Sequence, residues 1–341
     1  MNARSQINTK HTRSSALRNS VASKALKELA RPAVLGAIGV AALGALAVIN
    51  RRNATAAEGR HPPIGQFLKV EGVRLHYIDR GTGPVLVLLH GNGAMIQDFL
   101  SSGLVDEAAR THRVIVFDRP GYGYSTRPRG TLWTPDAQAD LLAAALRQLE
   151  VTRATILGHS WAAAVAVAMA ERHPDVAGSL VLEGGYFYPS ARLDVVPMSL
   201  PAIPVVGDVL RHTVSPLIAR LAWPLMMRKI FGPAPTPDKF RQFPRDLALR
   251  PSHLRASAEE TGLMVPCAAL AQERYARLDM PVAIIAGAGD RMVTARNQSA
   301  RLHREIPQSS FACLPDTGHM VHQTATAEVL SAVERVTTEA A

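Results

Sequence analysis

Ser160 stands in Gly158-His159-Ser160-Trp161-Ala162, between the apolar run 154–157 and an Ala- and Val-rich run at 161–172. Small residues two before and two after a serine permit a sharp strand-to-helix turn. Such a turn exposes the hydroxyl and offers the N–H groups of the helix start to a developing oxyanion. A serine hydroxyl is a weak nucleophile near neutral pH and needs a base. His319, in Asp316-Thr317-Gly318-His319-Met320 after the last apolar strand, is the candidate base. A base of this kind needs a carboxylate to hold its tautomer. Asp290 closes Ala286-Gly287-Ala288-Gly289-Asp290 and completes the order Ser, Asp, His. Glu183, at the end of the preceding apolar strand, is the alternative acid. His90-Gly91-Asn92-Gly93 follows the run 85–89, and its glycines let backbone approach a reacting carbonyl. The N–H groups of Asn92 and Trp161 are the expected oxyanion donors. With the base assigned, His90, His159 and His322 read as structural hydrogen-bonding histidines.

These residues need a frame that brings strand ends together. From residue 64 onward strand and helix patterns alternate. Strands are expected at 67–70, 73–79, 85–89, 114–117, 154–157, 180–182, 281–286 and 310–314, and helices at 95–110, 135–151 and 161–172. Continuous apolar runs such as Val85-Leu86-Val87-Leu88-Leu89 fit buried parallel strands. The alternation predicts an α/β fold with a doubly wound, mostly parallel sheet. Residues 186–278 break it, with helical patterns and many prolines but no buried strand. They are expected to form a helical cap over the site, inserted into a core of residues 64–185 and 279–341.

Composition narrows the partners. With 47% hydrophobic and 19% charged residues, the chain is globular rather than disordered. Its net charge of +10 invites a nucleic-acid reading, but residues 1–60 hold ten Lys/Arg and two Glu, which carries +8 of it and leaves +2 for the remainder. A basic tail at 1–31 beside the uncharged run 32–50 points to a membrane surface instead, with no nucleic-acid partner. That run is long enough as a helix to cross a hydrocarbon core. It reads as a transmembrane or signal-anchor segment, followed by a polar linker at 51–63. The larger basic count precedes the run, so the positive-inside rule places the catalytic part outside the cytoplasm, in a periplasm or beyond. Secretion after signal cleavage is the alternative. Cys267 and Cys313 are expected as separate buried thiols. Cys/His clustering with zinc-ligand spacing is missing, so no metal and no cofactor are expected. The glycines of 118–125 mark a tight turn rather than a phosphate loop, since no Lys-Ser/Thr follows.

Over roughly residues 65–336 the chain resembles the α/β-hydrolase superfamily. The resemblance rests on His90-Gly91-Asn92-Gly93, Asp118-Arg119-Pro120-Gly121-Tyr122-Gly123-Tyr124-Ser125, the Ser160 elbow, Gly289-Asp290 and Gly318-His319, in the family's order. It implies that 118–125 is a structural loop near the site. Two departures bear on chemistry. The elbow ends in Ala162 where the family usually carries glycine. Ser160 stands where members resembling epoxide hydrolases and haloalkane dehalogenases carry an aspartate nucleophile, which argues against both activities. The expected function is hydrolysis of a carboxylic ester, its substrate a small and hydrophobic molecule, through an acyl-enzyme. The same triad could serve C–C bond or amide hydrolysis, acyl transfer or perhydrolysis, and a non-catalytic, membrane-tethered binding protein on this scaffold is the remaining alternative. Oligomeric state is left open.

Overall fold

The computed structural model describes residues 34–341. The basic tail expected at 1–31 lies outside them, as do the first two residues of the apolar run. The chain divides into two units, one ending at Ile49 and one running from Asn50 to Ala341. Helix α1 (Val34–Arg60) begins in the first and ends in the second, and it is long and apolar enough to cross a membrane. In the first unit Leu35, Ile38 and Val40 are exposed.

The expected linker at 51–63 is mostly helix, because α1 continues to Arg60. Ala57 is fully buried against Met227, Phe231 and Phe240. Glu58 pairs with Arg250 at 2.6 Å and Arg60 with Asp246 at 3.1 Å.

The second unit continues with β1 (Gln66–Val70), β2 (Val73–Arg80), β3 (Val85–Leu89), α2 (Ile96–Ser102), α3 (Leu104–Ala108), β4 (Arg113–Phe117), α4 (Pro135–Gln148), β5 (Ala154–His159), α5 (Trp161–Arg172) and β6 (Ala177–Glu183). The helical stretch follows, with α6 (Val195–Ser199), α7 (Val206–His212), α8 (Val214–Phe231), α9 (Arg245–Ala248) and α10 (Pro251–Ala271), interspersed with short 3-10 turns. The chain ends with β7 (Val282–Gly287), α11 (Ser299–Glu305), β8 (Ser310–Leu314), α12 (Val321–Thr324) and α13 (Thr326–Ala340). The helix expected over 95–110 is two helices. Gly103, at φ 82°, ends α2 in the left-handed region, which glycine enters at little cost.

The eight strands form one sheet in the order β1-β2-β4-β3-β5-β6-β7-β8. The pairings β1–β2 and β2–β4 are antiparallel and the rest are parallel. Successive side chains of a strand face opposite sides of a sheet, and the core divides accordingly. Val87, Leu89, Val282 and Ile284 join α4 and α5 on one face. Leu86, Leu88, Ala283 and Ile285 join α2, α3 and α13 on the other. Cover on both faces explains why β3 and β7 are apolar throughout. β8 is an edge strand, so Cys313 is exposed rather than buried as expected, while Cys267 on α10 is half-buried; both thiols are free. The chain passes from β3 to β4 on one side and returns to β5 on the other. The strand order therefore reverses between β3 and β5, where a crevice opens at the carboxyl ends.

Candidate active site

Ser160 lies at that crevice, between β5 and α5, with φ 56° and ψ −119°. A non-glycine residue at positive φ is strained and persists only where its surroundings impose it. Here a Cβ on Gly158 would lie 2.8 Å from Ala163 Cα, so only glycine permits the turn. Ala162, in the family's usual glycine position, is fully buried without disturbing the elbow. Trp161 opens α5, so its N–H has no acceptor within the helix.

The loop after β3 comes close to the serine because Gly91 lacks a side chain. A Cβ there would sit 3.1 Å from Ser160 Cβ and 2.8 Å from His159 Nδ1. Asn92 is fixed by its side chain, which donates to Ser257 O and Thr261 Oγ1 at 3.1 Å each and accepts from Tyr122 OH at 3.1 Å. Helix α10 thus braces the loop whose backbone N–H was expected to face an oxyanion.

His319 and Asp290 lie side by side. Asp290 Oδ2 is 2.7 Å from His319 Nδ1, and Oδ1 accepts from Met292 N (2.7 Å) and Val293 N (2.9 Å). Burial opposes ionisation of Asp290, but His319 and the two N–H groups outweigh it and hold the carboxyl below its usual range. Burial likewise opposes the imidazolium of His319, yet Asp290 and then Glu183 raise its pKa above the ordinary value. His319 N donates to Ile230 O at 2.8 Å, which ties the base loop to the end of α8. Ser160 and His319 line the same cavity. Among the described residues no hydrogen bond joins Ser160 Oγ to His319. Contacts of this kind often tighten only once substrate binds.

Glu183, the alternative acid, is committed elsewhere. Its Oε1 takes His322 Nδ1 at 2.7 Å and His322 N at 2.9 Å. Asp98 Oδ1 lies 3.1 Å from His322 Nε2. All three are fully buried. Burial disfavours charge on His322, but the two carboxylates overcome it and push its pKa up to about 10. The donor atoms of Asp98, His159 and His322 converge within 4.8 Å. A carboxylate stands at each nitrogen of His322, which favours the imidazolium, while His322 Nε2, His159 Nδ1, Asp98 Oδ2 and Glu183 Oε2 make no hydrogen bond among the described residues. His159 Nε2 lies 3.1 Å from His319 O, and burial lowers its pKa to about 4. His90 is structural, bonding Gly91 O through Nδ1 at 2.9 Å and accepting from Arg119 N through Nε2 at 3.0 Å. The 118–125 loop turns about Asp118, whose carboxylate accepts from Ile96 N and Tyr124 N at 2.9 Å each and contacts His76 Nδ1 at 2.6 Å.

The cavity above these groups measures about 300 Å³. Residues between β6 and β7 supply much of its wall, including Trp223, Ile230 and Phe243. Six of the chain's ten methionines line it, Met198, Met226, Met227, Met264, Met292 and Met320. They are scattered over more than a hundred positions, so no spacing revealed them. Thioether side chains make an apolar wall that adapts to ligand shape. Arg192, Lys229, Ser257 and Thr261 add polar groups. Also unforeseen was the fully buried pair Arg119–Glu260, which joins the 118–125 loop to α10 together with Tyr122 OH, 2.7 Å from Glu260.

Comparison with known proteins agrees with this frame. Residues 84–326 match the family model described as alpha/beta hydrolase fold. A 2-hydroxymuconate semialdehyde hydrolase of Pseudomonas sp. (strain CF600) is 36% identical over 124 residues, which is 36% of this chain and 44% of that protein, so the match spans less than half of its length. An uncharacterized protein of Mycobacterium tuberculosis is 27% identical over 302 residues, 84% of each chain. Among solved structures, an esterase from Thermogutta terrifontis superposes with TM-score 0.66 at 23% identity, covering 81% of this chain and 99% of that one. A bacterial membrane phospholipase A superposes with TM-score 0.62 at 20% identity, covering 92% and 99%. The topology, the elbow and the family match lead to one conclusion: the chain belongs to the α/β-hydrolase fold family.

Proposed function

We propose that the protein hydrolyses hydrophobic carboxylic esters. Ser160 Oγ attacks the ester carbonyl while His319 takes its proton, and Asp290 holds the resulting imidazolium. The N–H groups of Asn92 and Trp161 receive the oxyanion. Collapse of the tetrahedral intermediate, with His319 returning the proton to the alcohol oxygen, leaves an acyl-enzyme. Water activated by His319 then releases the acid. The observation that carries this reading is the strained Ser160 facing the same methionine-lined cavity as a buried His319–Asp290 pair. Residues 186–278 act as the cap that shapes the acyl site. Residues 32–50 anchor the chain in a membrane, with the catalytic part extracytoplasmic. Similarity to proteins named as an esterase and a membrane phospholipase A supports the ester reading.

A panel of p-nitrophenyl esters of increasing chain length tests the activity. The expected result is Ser160-dependent turnover that favours longer acyl groups; no such turnover at any length overturns the proposal. A second reading, C–C bond hydrolysis, is favoured by the names of two relatives, a 2-hydroxymuconate semialdehyde hydrolase and a 2-hydroxy-6-oxo-2,4-heptadienoate hydrolase. Lys229 in the cavity wall would suit an acidic substrate, whereas Arg192 is paired with Asp194 at 2.7 Å in the same wall. Turnover of such a dienoate faster than of any ester would select this reading. For the anchor, retention of the full-length chain in membranes after a carbonate wash is expected, and its release would refute spanning.

A further inference from the structure

Helix α8 has two apolar faces. Trp223, Met226, Met227 and Ile230 line the cavity. Half a helical turn away, Leu217, Ile218, Leu221 and Leu225 are 45%, 62%, 73% and 71% exposed. An apolar helix face is ordinarily covered, yet this outer one meets solvent, flanked by Arg220, Arg228 and Lys229, the charged residues of α8. The exposed surface extends along the chain. α6, the 3-10 turn at Leu200–Ala202, α7 and α8 contact one another in succession. Val196 on α6 and Val206 and Val209 on α7 are exposed as well. Contiguous apolar surface of this kind marks a binding face rather than scattered exposure.

Charge and connectivity identify what covers it. Between residues 195 and 227 the one acid is Asp208, and it is engaged by Arg129 and Arg211. Arg220 is paired with Asp246 at 2.9 Å. No unpaired carboxylate among them opposes an anionic lipid surface. Asn50 is the last residue of the run 32–50, and its Nδ2 donates to His212 O at 3.0 Å and Thr213 O at 2.6 Å. These two carbonyls form the junction between α7 and α8. The residue at which the chain leaves the apolar run is therefore fastened to the helices with the exposed apolar faces.

We infer that the outer faces of α6, α7 and α8 dock on the phospholipid bilayer that the apolar run enters. The inference rests on the anchor reading of residues 32–50 and is independent of the ester chemistry. The bilayer lies against one side of α8 and the cavity against the other, so substrates dissolved in lipid reach the wall of the site without crossing bulk water.

The full-length chain, with Cys267→Ser and Cys313→Ser, is reconstituted in phosphatidylcholine–phosphatidylglycerol vesicles. An environment-sensitive nitrobenzoxadiazole label is placed in turn at Leu221→Cys, Leu225→Cys, Val40→Cys and Glu339→Cys. Docked helices sit about 5–10 Å into the interface, so doxyl groups near the headgroups should quench the labels on α8 by roughly half or more. The label at 339 should stay unquenched, and the label at 40 should respond to doxyl groups deep in the acyl region. Quenching at 40 without quenching at 221 or 225 overturns docking and leaves the anchor standing. Absence of quenching at 40, 221 and 225 overturns both. Spontaneous interchain disulfides at Leu221→Cys, with the label shielded from lipid, would show that a second copy covers this face and overturn the inference.

Discussion

His319 and His322 lie three residues apart, both buried and both beside carboxylates, yet they are built for different work. His319 commits one nitrogen to Asp290, and the other has no hydrogen-bond partner among the described residues; the ring lines the cavity. His322 has a carboxylate at each nitrogen, Glu183 and Asp98, and is sealed from solvent. A base must keep one nitrogen for the reactant and change charge during the cycle. A doubly paired imidazolium can do neither, but it can fasten elements together. Glu183 ends β6, Asp98 belongs to α2, and His322 belongs to α12, which follows His319. The contrast teaches that proximity of a histidine to a carboxylate does not identify a base; a nitrogen open to the cavity is what makes His319 the candidate.

Substitutions should separate the two histidines. Ser160→Ala and His319→Ala should each lower kcat by about 10⁴-fold or more, since nucleophile and base act as a unit. Single-turnover assays with a long-chain p-nitrophenyl ester would read this, and a surviving burst in either variant breaks the assignment. Asp290→Asn should cost up to about 10⁴-fold in kcat by presenting the wrong tautomer, with little effect on KM. Glu183→Gln should not reproduce that loss. Equal losses in the two variants would erase the distinction between the pairs.

Gly91→Ala tests the approach of the oxyanion loop, because its methyl would press on Ser160 Cβ and the His159 ring. A drop of about 100-fold in kcat with intact folding is expected, as for a small misplacement of reacting groups. His322→Ala should act on stability instead. It leaves two buried carboxylates unpaired, which costs about 3–5 kcal/mol, measured by denaturant unfolding. kcat per folded molecule should fall by less than that of Asp290→Asn.

pH sharpens the contrast further. His319 must be neutral to accept a proton, and its pKa is raised, so the acidic limb of kcat/KM should lie above pH 6.5. In Asp290→Asn the limb should move down. For His322 the sign concerns stability. Its folded pKa of about 10 exceeds the unfolded value of 6.5, so its contribution is complete below pH 6.5 and is lost as pH rises toward 10. Asp98 and Glu183 have lowered pKa values, burial being outweighed by His322, so their contribution falls away at acid pH. Thermal melts of wild type should decline from pH 6.5 to 10, and the decline should flatten in His322→Gln.

The sheet was legible because its strands are continuous apolar runs and because the elbow carries small residues where backbone must pass. Ser160 and His319 were legible from their place after such runs. Asp290 and Glu183 were harder to separate, since both end an apolar strand, and which one reaches His319 depends on where the loops go in space. The six cavity methionines follow no period. The helix at 51–60 looked like a linker because its few apolar contacts, Ala57 foremost, are with residues far along the chain. The break at Gly103 depended on a single left-handed residue inside an otherwise helical pattern.

Everything proposed for the site turns on Ser160 as the nucleophile and His319 as its base. Intact-mass and peptide-mass analysis after treatment with a fluorophosphonate tests this assignment most directly. One adduct is expected, on Ser160, absent in Ser160→Ala and strongly slowed in His319→Ala. An unlabelled wild type, or an adduct that persists in Ser160→Ala, would contradict it.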